Sequence, residues 1–163
     1  IENALAEKRP LAVLYVDLNG FKAYNDVYGY DQGDRVIKAL ARVLVDQIHS
    51  GGSDFIGHIG GDDFIILSTP ALMEEAARRV CSAFDEVVPS FYNEEDRARG
   101  CILATDRQGN KREFPLLSVS IGICHNKDRD LKNFAHVAHL GAELKKAAKA
   151  KPGSAFVVDR RLT

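Results

Sequence analysis

Tryptophan is absent from the 163 residues, methionine occurs once, and there are three cysteines. Odd in number and without metal-ligand spacing, Cys81, Cys101 and Cys124 make neither a disulfide framework nor a zinc site. They read as small, reduced core residues of a cytoplasmic protein. No apolar run approaches the roughly 18 residues of a membrane span, and no signal peptide is visible. Direct membrane contact by this domain is therefore not expected, although a longer protein containing it could be membrane-attached. Charge of one sign is missing too. Lys and Arg number 22 against 23 Asp and Glu, for a formal net charge of -1, and no basic stripe marks nucleic acid as the main partner.

What is present suffices for one core. Hydrophobic residues make up 45% of the chain, consistent with a single globular domain over residues 1–163. An isoleucine at position 1 and an abrupt end at Thr163 are what a fragment of a longer, multidomain protein would show. "LAVLYVDL" (11–18) is a continuous apolar run with β-branched members and reads as a buried central strand that ends near Asp17. "NGFKAYNDVYG" follows as a short helix from near Asn19 to Gly29, "YDQGD" as a loop, and then a longer helix with Val36, Ile37, Leu40, Val43, Leu44 and Ile48 on one face. Pro70 to about Val88 and Leu131 to about Ala150 are further helices, the latter with Phe134, Val137, Ala138 and Leu144 inward. "CILATDRQGNKREF" reads as a polar hairpin, "PLLSVSIGIC" as a long strand and "SAFVV" as a last one. Strands alternating with helices but mixed with hairpins indicate an α/β sandwich: a mixed, mostly antiparallel sheet with helices on its faces, plus an extra β-hairpin.

"HIGGDDFIIL" (58–67) carries the chemistry. Gly60 and Gly61 are enough to turn a tight hairpin, so the turn itself asks nothing of Asp62 or Asp63. Adjacent carboxylates repel by roughly 1 kcal/mol in water and about 4 near a protein surface, a cost that a bound cation reverses. If the first strand lies beside this hairpin, Asp17 and Asp62 meet in an oxygen-rich site suited to Mg²⁺, which commonly binds one or two carboxylates together with substrate phosphates and waters. Alone, each motif also reads as structural, with Asp17 capping the next helix and the hairpin acids merely solvated.

The motifs do not stand alone. "DLNGFKAYNDVYGYDQGD", then "GGDDF", then "SVSIG" resemble, in order and spacing, the GGDEF family of diguanylate cyclases, a bacterial signal-transduction family; the likeness runs roughly from Leu11 to Val158. Phe21, Lys22, Asn25, Asp26, Gly29, Gly33 and Asp34 all match the first block. The resemblance implies the palm, nucleotidyl-cyclase-like fold and a nucleotidyltransferase that condenses two GTP to cyclic di-GMP and two pyrophosphates. Each GTP would be held by one domain of a head-to-head homodimer. It implies two Mg²⁺ per site, with Mn²⁺ as a substitute, held by Asp17, Asp62 and the backbone carbonyl of Leu18, while Asp63 sits near the phosphates and the reacting 3′-hydroxyl. Asn25 and Asp34 match the guanine-binding pair, which suits the chemistry: a carboxylate accepts both N–H donors on one edge of guanine, and adenine has no such pair. For Asp34 alone, a helix N-cap before "RVIKAL" is the competing reading. The turn into "NGFK" should present backbone N–H groups to the phosphates, with Gly20 allowing close approach. Lys149 matches the late phosphate-binding lysine, though in the company of Lys145, Lys146 and Lys151 it also reads as a solvated helix end.

Four departures qualify the match. Asp63 replaces the glutamate of the family name and is one methylene shorter. Asn19 replaces the second aspartate of "DxDxFK", Tyr30 replaces a histidine, and "AKAKPGSA" lacks the late arginine, with Gly153 or Ser154 near its place. The product-inhibition motif RxxD reads "GGSD" over Gly51–Asp54, so no tight cyclic di-GMP site is expected there. The hairpin and the ending "ELKKAAKAKPGSAFVVDRR" are similar to GGDEF domains that follow CBS or phosphodiesterase domains in composite signalling proteins, which implies regulatory domains in the same chain. Two functions follow: a cyclase, or a catalytically weak GTP-binding regulatory module. A palm polymerase or class III cyclase shares the two-carboxylate logic, but "FKAYND" and "YGYDQGD" argue against it.

Overall fold

The computed structural model describes residues 1–48, 54–105 and 108–162. Its elements run α1 (Glu2–Ala6), β1 (Ala12–Asn19), α2 (Phe21–Tyr28), α3 (Tyr30–Ile48), β2 (Phe55–Gly60), β3 (Asp63–Ser68), α4 (Met73–Val87), a 3₁₀ turn (Val88–Phe91), α5 (Glu94–Arg99), β4 (Cys101–Thr105), β5 (Lys111–Pro115), β6 (Ser118–His125), α6 (Phe134–Lys149) and β7 (Ala155–Val158). The five-stranded sheet has the order β2-β3-β1-β6-β7. β1 lies antiparallel between β3 and β6, and the β6–β7 pair is parallel. The sheet is thus mixed and mostly antiparallel, as the strand and hairpin pattern implies.

Two layers of helix cover it. Val36, Leu40, Val43, Leu44 and Ile48 of α3 and Ala76, Val80 and Phe84 of α4 bury one face against Leu14, Val16, Ile66, Ile121 and Ile123. Each such large side chain, fully removed from water, stabilises the fold by roughly 1.5–3 kcal/mol. On the other face α6 packs Val137, Leu140 and Leu144 against Val13 and Cys124. Two glycines let α6 come close. A Cβ on Gly122 of β6 would stand 2.4 Å from the backbone nitrogen of Lys145, and one on Gly141 of α6 would stand 2.1 Å from the Tyr15 ring. The separate β4–β5 hairpin is the extra polar one. It is tied to α2 through α5: Tyr28 donates from its hydroxyl to Asp96, Arg99 pairs with Asp96 at 2.6 Å, and Tyr24, Tyr28 and Tyr92 pack ring against ring.

Several boundaries differ from expectation. "YDQGD" is not a loop, because Gly29, with φ 87°, breaks the chain in a single residue and α3 starts at Tyr30. Asp34 therefore lies inside a helix and is no N-cap. α2 starts at Phe21, after Gly20 in the left-handed region (φ 77°), and not near Asn19, which belongs to β1. Phe134 is half exposed at the start of α6, so Leu140 and Gly141 fill the inward role assigned to it. α1 and α5 have no counterpart in the expected elements; both are too short for helical periodicity to show. Gly51–Ser53 of the "GGSD" segment lie outside the described residues, as does part of the "DRQGNK" turn.

Candidate functional site

The central strand delivers Asp17 to the site, and pairing delivers the hairpin. β1 pairs with β3 through Val16↔Phe64, so the next residues along, Asp17 and Asp63, are neighbours across the two strands. At the tip, Gly60 pairs with Asp63, leaving Gly61 and Asp62 as the two corner residues. Both glycines do take positive φ, 150° and 57°, but Gly60 closes strand β2 rather than occupying a corner. His58 steadies the turn, with Nε2 2.8 Å from the Gly61 carbonyl oxygen and its ring stacked on Phe64.

Asp17 is buried, and both of its oxygens meet lysine. Lys145 Nζ lies 2.9 Å from Oδ2, and Lys149 Nζ lies 2.9 Å from Oδ1. The same Lys145 ammonium donates to Asp63 Oδ1 at 2.5 Å, bridging the two carboxylates. Burial works against ionisation of Asp17, yet the bonds from Lys149 and Lys145 outweigh it and hold its carboxyl below the ordinary carboxylate range. Asp62 moves the other way, pushed up by burial first and then by the neighbouring Asp17 charge. Burial would lower the Lys145 ammonium, but its bonds to Asp63 and Asp17 hold it above the ordinary lysine value.

Beside these acids lies a cleft of about 420 Å³ whose lining includes Gly20, Lys22, Asn25, Asp62, Phe114 and Lys149. Leu18, Phe21, Asp26 and Tyr30 also border it. The left-handed Gly20 lets α2 begin directly off the sheet, so the first-turn N–H groups, which have no intrahelical acceptor, open at this end of the strands. Asn25 projects from α2 with its Oδ1 buried and without a hydrogen-bond partner. Such an orphaned acceptor costs about 1–3 kcal/mol unless something supplies a donor. Gly33 of α3 makes room for it: a Cβ there would fall 1.9 Å from Asn25 Oδ1. Asp34, next along α3, is exposed and does not line the cleft.

Asp17, Asp62, Gly20, Phe21, Lys22, Asn25 and Lys149 are thus brought together, and Asp63 adjoins them through Lys145. Two substituted positions have taken structural work. Asn19 is held at both ends of its amide, donating to Ser118 Oγ at 2.8 Å and accepting from Ser120 Oγ at 2.9 Å. Ser154, near the place of the absent arginine, accepts from Val119 N at 2.9 Å and donates to Asp85 at 2.5 Å. Sequence reasoning passed over Lys145 and Phe114. The four-residue spacing of Lys145 and Lys149, which puts both on one helix face, was the available signal for the first. For Phe114 there was none, since only the tertiary placement of the hairpin brings it to the cleft.

Among the described residues no three His, Cys, Asp or Glu side chains form a ready-made metal cage. The donors nevertheless suit Mg²⁺: two neighbouring carboxylates, one of them pushed up by burial and then by the other's charge, next to a cleft where phosphates and water would complete the oxygen set.

Comparison with known proteins accords with this arrangement. Residues 1–153 match the family described as "Diguanylate cyclase, GGDEF domain". Bifunctional diguanylate cyclase/cyclic di-GMP phosphodiesterase MucR of Pseudomonas aeruginosa is 39% identical over 136 residues, 79% of this chain and 19% of that protein. Diguanylate cyclase DosC of Shigella sonnei (strain Ss046) is 36% identical over 92 residues, 55% of this chain and 20% of that protein. The chain therefore spans about a fifth of the length of these curated relatives. In fold it resembles the GGDEF domain of DgcB from Caulobacter crescentus, solved in complex with c-di-GMP, with TM-score 0.67 and 18% identity over 96% of this chain and 81% of that one.

Proposed function

Since the chain belongs to the GGDEF domain family of diguanylate cyclases, we propose that it binds GTP with Mg²⁺ in the cleft beside Asp17 and Asp62 and, paired head to head with a second copy, condenses two GTP to cyclic di-GMP. The observation that carries this is the meeting of Asp17, Asp62 and the orphaned Asn25 acceptor around one cleft at the strand ends. Asn25 and Phe21 take the base, with Asp34 at the outer edge of α3, and the first-turn N–H groups of α2 with Lys22 and Lys149 take the phosphates. Asp17, Asp62 and the Leu18 carbonyl would hold the metal, which supplies charge neutralisation at the phosphates and a lowered pKa for the attacking hydroxyl. The 3′-oxygen of one GTP then forms a bond to the α-phosphorus of the other as the bond to pyrophosphate breaks. The hydroxyl proton leaves to a base, the role we assign to Asp63, and a second, symmetric step closes the ring. Regulatory domains elsewhere in the protein and a cytoplasmic location complete the proposal.

A second reading has its own support. Asp63, one methylene short, is bonded to Lys145, and a reacting group displaced by about 1 Å can lose 10²-fold in rate. That favours a module that binds Mg·GTP and signals to a neighbouring domain with little turnover. The test is chromatography of nucleotides after incubating the chain, fused to a dimerising coiled coil, with GTP and Mg²⁺. Cyclic di-GMP that disappears in Asp62→Ala supports the cyclase. Saturable GTP binding without product supports the sensor, and ATP use without guanine preference refutes both.

A further inference from the structure

The least expected group at the site is the Lys145 ammonium. It is only 21% exposed, and it occupies the space between Asp17 and Asp63 that an added cation would otherwise fill. Lys149 takes the remaining oxygen of Asp17. Three carboxylates against two ammoniums leave one net negative charge, so the site has little unsatisfied charge with which to attract a divalent ion alone. A nucleoside triphosphate alters that balance. Its phosphate oxygens are acceptors for lysine at least as good as a carboxylate, and Lys149 already borders the cleft they would enter. The position of Lys145 follows from the fold, since Gly122 brings β6 against its backbone nitrogen. The contact needs no mobile loop.

We propose that Lys145 is an internal counter-cation for Asp17 and Asp63, displaced when nucleotide arrives, so that divalent metal and nucleoside triphosphate load cooperatively and the metal binds poorly by itself. This rests on the reading that Asp17 and Asp62 hold a metal, and it goes further by assigning Lys145 as the positioning residue that couples the two ligands.

Mn²⁺ binding, followed by electron paramagnetic resonance of the free ion, tests it without turnover. The purified chain is titrated with and without a non-hydrolysable GTP analogue, alongside Lys145→Met, which keeps the aliphatic stem, Lys145→Gln, which keeps a polar end, and Lys145→Arg, which keeps the charge. With two charge-assisted contacts to the acids removed, the Met and Gln variants should bind Mn²⁺ alone roughly tenfold or more tighter than the parent. The analogue should tighten Mn²⁺ binding strongly in the parent and in Lys145→Arg, and far less in the Met and Gln variants. Equal Mn²⁺ affinity in the parent and the Met and Gln variants, or equal coupling in all four proteins, overturns the proposal. Asp62→Asn in the parent background separates the two layers. If it abolishes Mn²⁺ binding while Lys145 substitutions change nothing, only the role of Lys145 is wrong. If it leaves Mn²⁺ binding untouched, the metal-site reading falls and the proposal with it.

Discussion

Gly33→Ala should separate the stability of this domain from its ability to choose a nucleotide. The new Cβ would lie 1.9 Å from Asn25 Oδ1, 2.9 Å from Asn25 Cγ and 3.2 Å from Phe21 Cζ. All three are side-chain atoms, so the backbones of α2 and α3 need not part. Alanine in place of an internal helical glycine gains about 1 kcal/mol of helix propensity, while forcing Asn25 off its rotamer costs about 0.5–1.5 kcal/mol. The two nearly cancel, and with about 2–4 °C per kcal/mol for a domain of this size, Tm should move by less than about 4 °C. Binding is another matter, because the Asn25 amide no longer points into the cleft. Losing one hydrogen bond to the base, about 0.5–1.5 kcal/mol, weakens a non-hydrolysable GTP analogue by about 2- to 12-fold and leaves an ATP analogue unchanged. Isothermal titration with both analogues, next to a thermal melt, is the assay. An unchanged GTP affinity refutes the role given to Asn25, and a Tm loss beyond about 8 °C refutes the claim that the clash is relieved by side chains alone.

Three further outcomes follow from the same geometry. Asp62→Asn should stabilise the metal-free domain by roughly 1 kcal/mol at neutral pH, after allowance for solvent screening, even as it abolishes metal binding. Its raised carboxyl favours the folded state while protonated and loses that contribution as pH climbs through the folded pKa, so the gain should vanish below about pH 4; a melt series from pH 3.5 to 8 with no such trend would sink the argument. Gly122→Ala meets backbone at 2.4, 2.8 and 2.9 Å and cannot be relieved by a rotamer change, so chemical denaturation should show a loss of roughly 2–3 kcal/mol, and a neutral result would mean α6 is not seated as described. Phe114→Ala removes an aromatic wall from the cleft and should weaken the GTP analogue by about 2- to 12-fold in the same titration, whereas unaltered affinity would leave the hairpin without a part in binding.

Legibility in the sequence tracked the range of the interactions. β1 and β6 were readable because their side chains are buried on both faces, which writes a continuous apolar run. Asp17 and the "GGDD" corner were readable because strand ends and hairpin turns are local events. The start of α3 was not, since Gly29 alone turns the chain and the polar "YDQGD" shows no apolar periodicity to distinguish a solvated first turn from a loop. Lys145 looked like any lysine near a helix end; only the close seating of α6 on β6 through Gly122 makes it a bridge between acids 82 residues or more away in sequence. The two functional readings turn on Asp63 because one methylene is invisible to motif spacing and decisive for reach.

Lys145 and Lys149 stand one turn apart on α6, both aimed at the same aspartate. A single residue inserted or deleted between Gly141 and Lys145 would swing both by about 100° and carry them off Asp17 together. A length change in this part of the chain should therefore be tolerated in the exposed connection after the helix, at Lys151, Pro152 and Gly153, and not within it. An extra residue there leaves Lys145 and Lys149 on Asp17, whereas one added within the helix upstream of Lys145 turns both away from it.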